Sequence, residues 1–484
     1  MESISQMLEK IPPDIFGTYE HMITKLLPNG QGQNEHNRNF ARTALALICS
    51  ESSGVTCAEV LVEASRFNVP HGFAHRFNLD QLEKILGCLI TVTSLLRRPE
   101  SMYSRNAEGA GANKQVSVAH YTVKEYLFDK ATALGPVKEF ALSTEAIQSL
   151  ELQVIFSGLQ QFGTNRPMDA KYPTRYEEYC LKMTDKALKD RRDLIIRDKT
   201  IWKTVTECLK WNSKHNMPRS GAFPNMRIRA AFPSWTKTSP FEPKNDQSKE
   251  PRVPETSVLV SLVLLQWPEL ARVYLADLPE STKREIWTDK FELARSFRVD
   301  GTNPTSLMQL CVTRRDVAFL QALIDSRADF SGEHDLVMDL FYHAYGHRSL
   351  DDEDGGAKTG RMLKMLLERG VRPDAPGYVF TPLQFAVGNL EDRWVYDLLY
   401  EGADPNAVGS ADGVHPFGAG HDDIMGHLPP LEICKVTKPE WLQSEGDAEL
   451  MEVARQRVES SLRRWGAEDP IVRPIVIPAD DDDD

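Results

Sequence analysis

Histidine is the side chain best suited to acid–base or metal chemistry near neutral pH, and five histidines of this chain stand where they could do it. His120 closes the apolar-alternating run "VSVAH" and is followed at once by the helix-like "YTVKEYLFDK". A histidine there could serve as a base, a metal ligand or a phosphate contact, because a helix N-terminus offers free amides to an anion. No nucleophile accompanies it, which speaks against catalysis and for a strand end. His71 with His75, and His343 with His347, have the i, i+4 spacing that places two ligands on one helix face. Neither pair encloses the glutamate of H-E-x-x-H, and "HGFAH" follows Pro70 and contains Gly72, which favours a loop. Both read as polar surface residues, so no metal is expected.

Phosphate chemistry fares no better. "DGGAKTG" (354–360) looks like a phosphate loop only in passing, since Lys358 follows Ala357 rather than glycine. No G-x-x-x-x-G-K-[ST] sequence occurs in the chain. No cofactor and no enzymatic activity are expected. The seven cysteines are scattered without C-x-x-C spacing, which argues against a zinc or redox pair and for reduced thiols in a cytosolic or nuclear protein.

The elements that hold these residues follow from periodicity. "FARTALALICS" and "VTCAEVLVEAS" carry apolar residues at helical spacing, the second with Thr56 and Glu59 as a capping box. "LDQLEKILGCL" starts after Asn78, a good N-cap. "LITVT" and "VSVAH" read as strands around a polar, glycine-containing stretch. Thr122 and Glu125 suggest a second capping box. Helices followed by a hairpin with a long polar tip describe a winged helix, placed at 1–135. A helical spacer follows at 136–212, with Trp202 and Trp211 as core anchors. The stretch 213–255 is rich in proline and locally basic, as a linker would be.

Residues 256–470 carry a weak internal repeat. "TPLQFAV" precedes "LLYEGADPN", and "TSLMQLC" precedes "LIDSRADFS" with Arg327 in the glycine's place. "LLERGVRPD" and "LRRWGAEDP" repeat the second element. The turn positions are separated by 43 (327 to 370), 32 (370 to 402) and 64 (402 to 466) residues. A unit near ~33 residues fits the middle step, and the others require insertions. The threonine caps a helix, Pro382 loses no hydrogen bond at the first helical position, and the glycine ends the second helix in a left-handed conformation. Leu383 and Leu399 should lie buried between stacked helices.

"TPLQFAV…LLYEGADPN" resembles an ankyrin repeat. "LEKIPPDIFGTYEHMI", "ARTALALIC" and "VSVAHYTVKEYL" are similar to the winged-helix segment that follows the nucleotide-binding domain in fungal NACHT-ankyrin proteins of the STAND, NLR-like class. The resemblance implies a mainly α protein: a winged-helix module, a helical spacer and a degenerate ankyrin solenoid. Such proteins are signal-transducing NTPase switches linked to non-self recognition and cell death; because this sequence has no phosphate loop, a non-enzymatic scaffold or sensor fragment of NACHT-type signalling is expected. His120 would then correspond to the histidine that reaches the bound nucleotide phosphate. The chain begins about where the nucleotide domain would end, so the expectation is a truncated relative, a split gene product or an incomplete gene model; the alternative functions are the regulatory part of a STAND NTPase whose nucleotide domain is supplied in trans or lost from the gene model, and, behind it, a DNA-binding winged-helix regulator.

Two exclusions concern partners. The formal charge is −13 and the pI about 5.5. Phosphate neutralisation needs clustered Lys and Arg, and the helix after Asn78 balances Asp80 and Glu83 against Lys84, so nucleic acid is not an expected partner. The longest apolar run, "VLVSLVLLQW", is far short of the ~20 residues of a membrane span. Other proteins remain, met through the repeat tips. Asp329, Phe330, Asp374, Tyr378, Asp404, Asn406 and Val408 occupy these tips, with Phe330, Tyr378, Asp404 and Asn406 the foremost contacts. The acidic 471–484 tail should be disordered, either solubilising the chain or meeting a basic partner.

Overall fold

The computed structural model describes residues 15–25, 33–50, 57–69, 71–74, 76–94, 114–165, 175–209, 253–291, 306–330, 333, 335–346, 355–374, 378–410, 427–437 and 447–468. The fold is mainly helical, and the chain divides into two compact units, Met1–Lys237 and Thr238–Asp484.

In the first unit, helices α1 (Ile15–Thr24), α2 (Gln33–Cys49), α3 (Ala58–Ser65), α4 (His71–Ala74) and α5 (Leu79–Leu86) precede an antiparallel hairpin. Its strands, β1 (Ile90–Ser94) and β2 (Lys114–Val118), pair from Ile90↔Val118 to Ser94↔Lys114. Cys57, just before α3, adds a single bridge to Gln115. The core is set by α2, which buries Phe40, Ala41, Ala44 and Leu45 along one stripe. Asn78 caps α5 by accepting from the Gln81 amide at 2.9 Å. The hairpin tip between Ser94 and Lys114 lies outside the described residues, as do Thr56, His75 and Trp211.

Helices α6 (Tyr121–Phe128) and α7 (Lys130–Leu134) follow, then α8 (Thr144–Asn165), α9 (Arg175–Asp190), α10 (Arg192–Arg197) and α11 (Lys199–Leu209). Helix α8 packs on α2 and α3, and α9 and α11 pack on α8. One buried ion pair fastens this arrangement. Glu151 of α8 is fully buried and lies 2.6 Å from Arg191, the residue that opens α10. Its other carboxylate oxygen accepts from the Ser50 hydroxyl at the end of α2. Two buried charges persist only when paired and hydrogen-bonded in this way.

The second unit is built from helix pairs. They are α12 (Pro254–Leu264) with α13 (Pro268–Asp277), α15 (Leu307–Thr313) with α16 (Val317–Asp325), α17 (Leu336–Gly346) with α18 (Gly355–Leu367), α19 (Pro382–Gly388) with α20 (Asp392–Tyr400), and α21 (Pro430–Val436) with α22 (Asp447–Arg464). The additional helix α14 (Glu280–Thr288) stands between the first two pairs. First helices touch first helices along the series, α12 to α15, α15 to α17, α17 to α19 and α19 to α21. Second helices do the same.

Identical turns repeat through the stack. Second helices end on Arg327, Gly370, Gly402 and Gly466, all with positive φ. At each, the next amide reaches back five residues: Ala328 to Leu323, Val371 to Leu366, Ala403 to Leu398 and Ala467 to Leu462. That bond is the signature of a helix end closed through a left-handed residue. The same device joins the helices within three pairs, at Gln266, Arg315 and Leu390.

The caps also correct the register read from sequence. Ser306, not Thr305, caps α15, accepting from the Gln309 amide. Thr381 caps α19 in a full capping box with Gln384. Cap and turn are therefore 21 residues apart in both pairs (306 to 327, 381 to 402). Leu383 and Leu399 are buried, as the repeat requires. Phe341 of α17 stacks between Phe385 and Trp394, centroids 5.5 and 5.1 Å away.

Candidate interaction surface

His120 is a helix cap. It precedes the first residue of α6, and its Nδ1 accepts from the Thr122 amide at 3.3 Å. The same nitrogen lies 2.9 Å from the Thr122 hydroxyl, which is 2.7 Å from the Tyr19 hydroxyl of α1. The ring is exposed and packs on Tyr121, centroids 4.5 Å apart. This displaces the expected capping box, because Thr122 is already inside the helix. It also spends the histidine's acceptor nitrogen on the backbone. Helix α3 departs from its expected box as well, starting after Cys57 without a side-chain cap.

The other sequence candidates disperse. His75 and His347 lie outside the described residues. Among the described residues, no group of three or more His, Cys, Asp or Glu is placed to hold a metal ion. "DGGAKTG" enters α18 (Gly355–Leu367) as helix rather than loop, and Gly360 lets that helix approach the Trp394 indole. Burial pushes the Cys49 and Cys208 thiols up to about 12 and Cys434 to about 11, away from nucleophilic use. No helix among the described residues is long and apolar enough to cross a membrane.

The repeat tips behave differently from one another. Phe330 is only 3% exposed and belongs to the core, which removes it from the expected contact surface. After the left-handed Arg327 the chain folds back, with the Glu333 amide donating to the Phe330 carbonyl, and the ring, which has no polar atom to keep in water, turns inward. Asp404 is exposed, but it also organises the turn, accepting from the Asn406 amide at 2.9 Å. The Asp404 amide donates to Asp374 of the preceding tip at 3.4 Å. Asn406 donates to the Gly466 carbonyl and accepts from the Glu468 amide of the following tip. Tyr378, half-buried, accepts through its carbonyl from the Ser410 amide at 2.9 Å. Beside that bond Gly409 approaches so closely that an added Cβ would lie 1.6 Å from the Val379 carbonyl oxygen. Polar tip residues thus stitch successive pairs together before any partner is considered.

One group of side chains had no sequence signal. Gln309 of α15 donates to Asp339 of α17 at 2.8 Å. Glu333, just before α17, accepts from the Ser306 hydroxyl at 3.1 Å and pairs with Lys290. Burial pushes the Asp339 carboxyl up to about 7, with Asp335 and Glu333 adding to the effect against the Gln309 hydrogen bond. Burial also raises the Tyr378 hydroxyl, and Asp339 and Asp335 raise it further. Glu333, Asp335, Asp339 and Tyr378 therefore share one electrostatic neighbourhood, in which Asp335 is exposed, Asp339 and Tyr378 are half-buried and Glu333 is paired with Lys290. Its carboxyl groups and aromatic edge suit a cationic side chain. Only the three-dimensional stacking of α15, α17 and the 378 loop reveals it; the residues lie up to 69 positions apart (309 to 378).

No protein-family model, curated protein or solved structure matches the chain.

Proposed function

We propose that the chain is a non-enzymatic protein-interaction scaffold or sensor, a winged-helix-type module joined to a degenerate ankyrin-type stack. One observation carries the reading: the helix pairs of the second unit repeat the same left-handed closing turn at Arg327, Gly370, Gly402 and Gly466. A chain that repeats one unit buries its apolar faces between neighbours and leaves a continuous outer surface for binding. The bridge from Cys57 to the hairpin supports the winged-helix reading of the first unit. A place in NACHT-type signalling rests on the sequence resemblance alone.

The contact face centres on Asp335, Tyr378 and Asp404, and its partner is a basic protein segment. Charge of this kind speeds encounter and makes it sensitive to salt. The test is a peptide array of basic, neutral and acidic sequences probed with the full chain and with its Asp335→Lys and Tyr378→Ala variants. Basic peptides should be retained by the parent, weakened by both variants and released by salt. Retention independent of charge and unchanged in both variants contradicts this assignment.

A further inference from the structure

Helices α20 and α22 form a surface apart from the acidic face. They run parallel and in register. Asp392, the first residue of α20, lies 3.6 Å from Arg457, and eight residues on in each helix (392 to 400, 457 to 465) Tyr400 meets Trp465 edge-on at 6.4 Å. Between the helices a groove of about 550 Å³ is lined by Tyr396 on one side and by Val453, Gln456 and Ser460 on the other. Tyr396 stacks with Tyr400 at 6.1 Å. Five of the eleven large apolar and aromatic side chains that stand exposed among the described residues gather here: Tyr396, Tyr400, Leu450, Val453 and Trp465. Leu450 is 66% exposed, and its spacing of three from Val453 puts it on the groove side of α22. A concentration of this kind marks a contact surface.

The charge along α22 says what covers it. The first half of the helix exposes Glu449 and Glu452, and the second half exposes Arg457, Arg463 and Arg464. Glu452 is engaged by Arg455 at 3.2 Å and Arg463 by Glu459 at 3.0 Å, whereas among the described residues Glu449 and Arg464 have no ion pair. These two stand 15 residues apart (449 to 464), and their midpoint falls between Gln456 and Arg457. A second α22 laid antiparallel about a two-fold axis at that midpoint brings each Glu449 to the partner's Arg464. The same rotation sets Val453 opposite the partner's Ser460, whose small side chain leaves room for it. It also places Leu450 at the level of the partner's Arg463, between the partner's Tyr400 and the partner's Trp465. Near the axis Arg457 faces the partner's Gln456, and Asp392 offsets its charge. A parallel pairing would instead set glutamate on glutamate and arginine on arginine, which repel. A patch that is complementary to itself closes as a two-fold dimer.

We propose that the α20–α22 face is the interface of a homodimer, in which α22 of each copy lies antiparallel in the groove of the other. The acidic face is left clear of this contact, so its partner and the second copy do not compete.

Sedimentation velocity of the full chain from about 1 to 100 μM should show the 54.7 kDa chain giving way to a species of twice that mass. Glu449→Arg and Arg464→Glu should each weaken the dimer about tenfold, and the variant carrying both should recover it, because the pair is then reversed rather than broken. Val453→Arg should leave monomer alone, with circular dichroism unchanged. Gln456→Cys, beside the axis, should form a disulfide between copies on mild oxidation. Glu449→Cys should not, since helical rise puts it about 22 Å along the axis from its counterpart. A chain that stays monomeric throughout the range overturns the proposal, as does a dimer that Val453→Arg leaves intact. A doubly reversed variant no tighter than either single one, or a Glu449→Cys disulfide in place of the Gln456→Cys one, overturns the antiparallel pairing.

Discussion

The two units solve the same problem, burying their apolar side chains, by opposite means. The first unit joins distant pieces: Ser50, Glu151 and Arg191 meet in one buried polar cluster although 101 residues separate the first two. Among the described residues the second unit joins neighbours, pair against pair, with the same cap-to-turn distance recurring. Damage should therefore spread through the first unit and stay local in the second. The comparison also separates two uses of charge. Glu151 has a cation at 2.6 Å, whereas Asp339 is crowded by Asp335 and Glu333 and held by a neutral amide.

The largest effect should come from Arg191→Ala. It leaves the Glu151 carboxylate buried without its cation, which costs about 3–5 kcal/mol. Chemical denaturation followed by fluorescence should show the first unit's transition move while the second unit's stays. A shift equal to that of an exposed substitution such as Arg197→Ala would mean that the pair is not holding the unit.

Leu383→Ala in the second unit removes a fully buried side chain and should cost about 2–5 kcal/mol. Hydrogen exchange should rise in α19 and in its contacts α17, α20 and α21, and remain unchanged in α12 and α13. Uniform loosening of the whole stack would break the contrast between the units.

Asp339→Asn should stabilise the protein above neutral pH. The folded-state carboxyl is raised from 3.8 to about 7, so its ionisation is penalised by folding. Stability is lost as pH rises through that window, and the asparagine variant does not lose it. The gain should be about 1–3 kcal/mol at pH 8 and vanish below pH ~4. Thermal melts of both proteins across pH check the sign, and a variant less stable at pH 8 would contradict it.

A smaller effect belongs to His120→Ala, which removes the α6 cap and should cost about 0.5–2 kcal/mol, with His120→Asn restoring most of it. Smallest of all, Arg327→Gly should stabilise by a few tenths to about 1 kcal/mol, because φ +61 suits glycine better than arginine. Denaturant midpoints resolve both.

Much of this was legible where one residue type dictates a local geometry. Gly370, Gly402 and Gly466 announce left-handed turns, and the surrounding alignment identified Arg327 as their equivalent. Asn78 announced its helix start, and β-branched runs announced the hairpin. What stayed hidden depends on distant partners. The T-x-x-E pattern pointed to Thr122 as the cap, since histidine seldom plays that part, and only the Thr122 amide donating to His120 shows where the helix begins. Phe330 looked like an exposed anchor because a turn position and an aromatic ring do not say which way the ring faces. Asp339 gave no signal, since its raised carboxyl comes from the packing of α15 and α17.

The proposed binding surface is the acidic face of the second unit. Hydrogen–deuterium exchange of the full chain, alone and saturated with the tightest basic peptide from the array, tests that claim most directly. Protection should appear in residues 306–309, 333–339 and 378–380 and weaken with salt. Protection confined to residues 15–209, with the second unit unchanged, would contradict it.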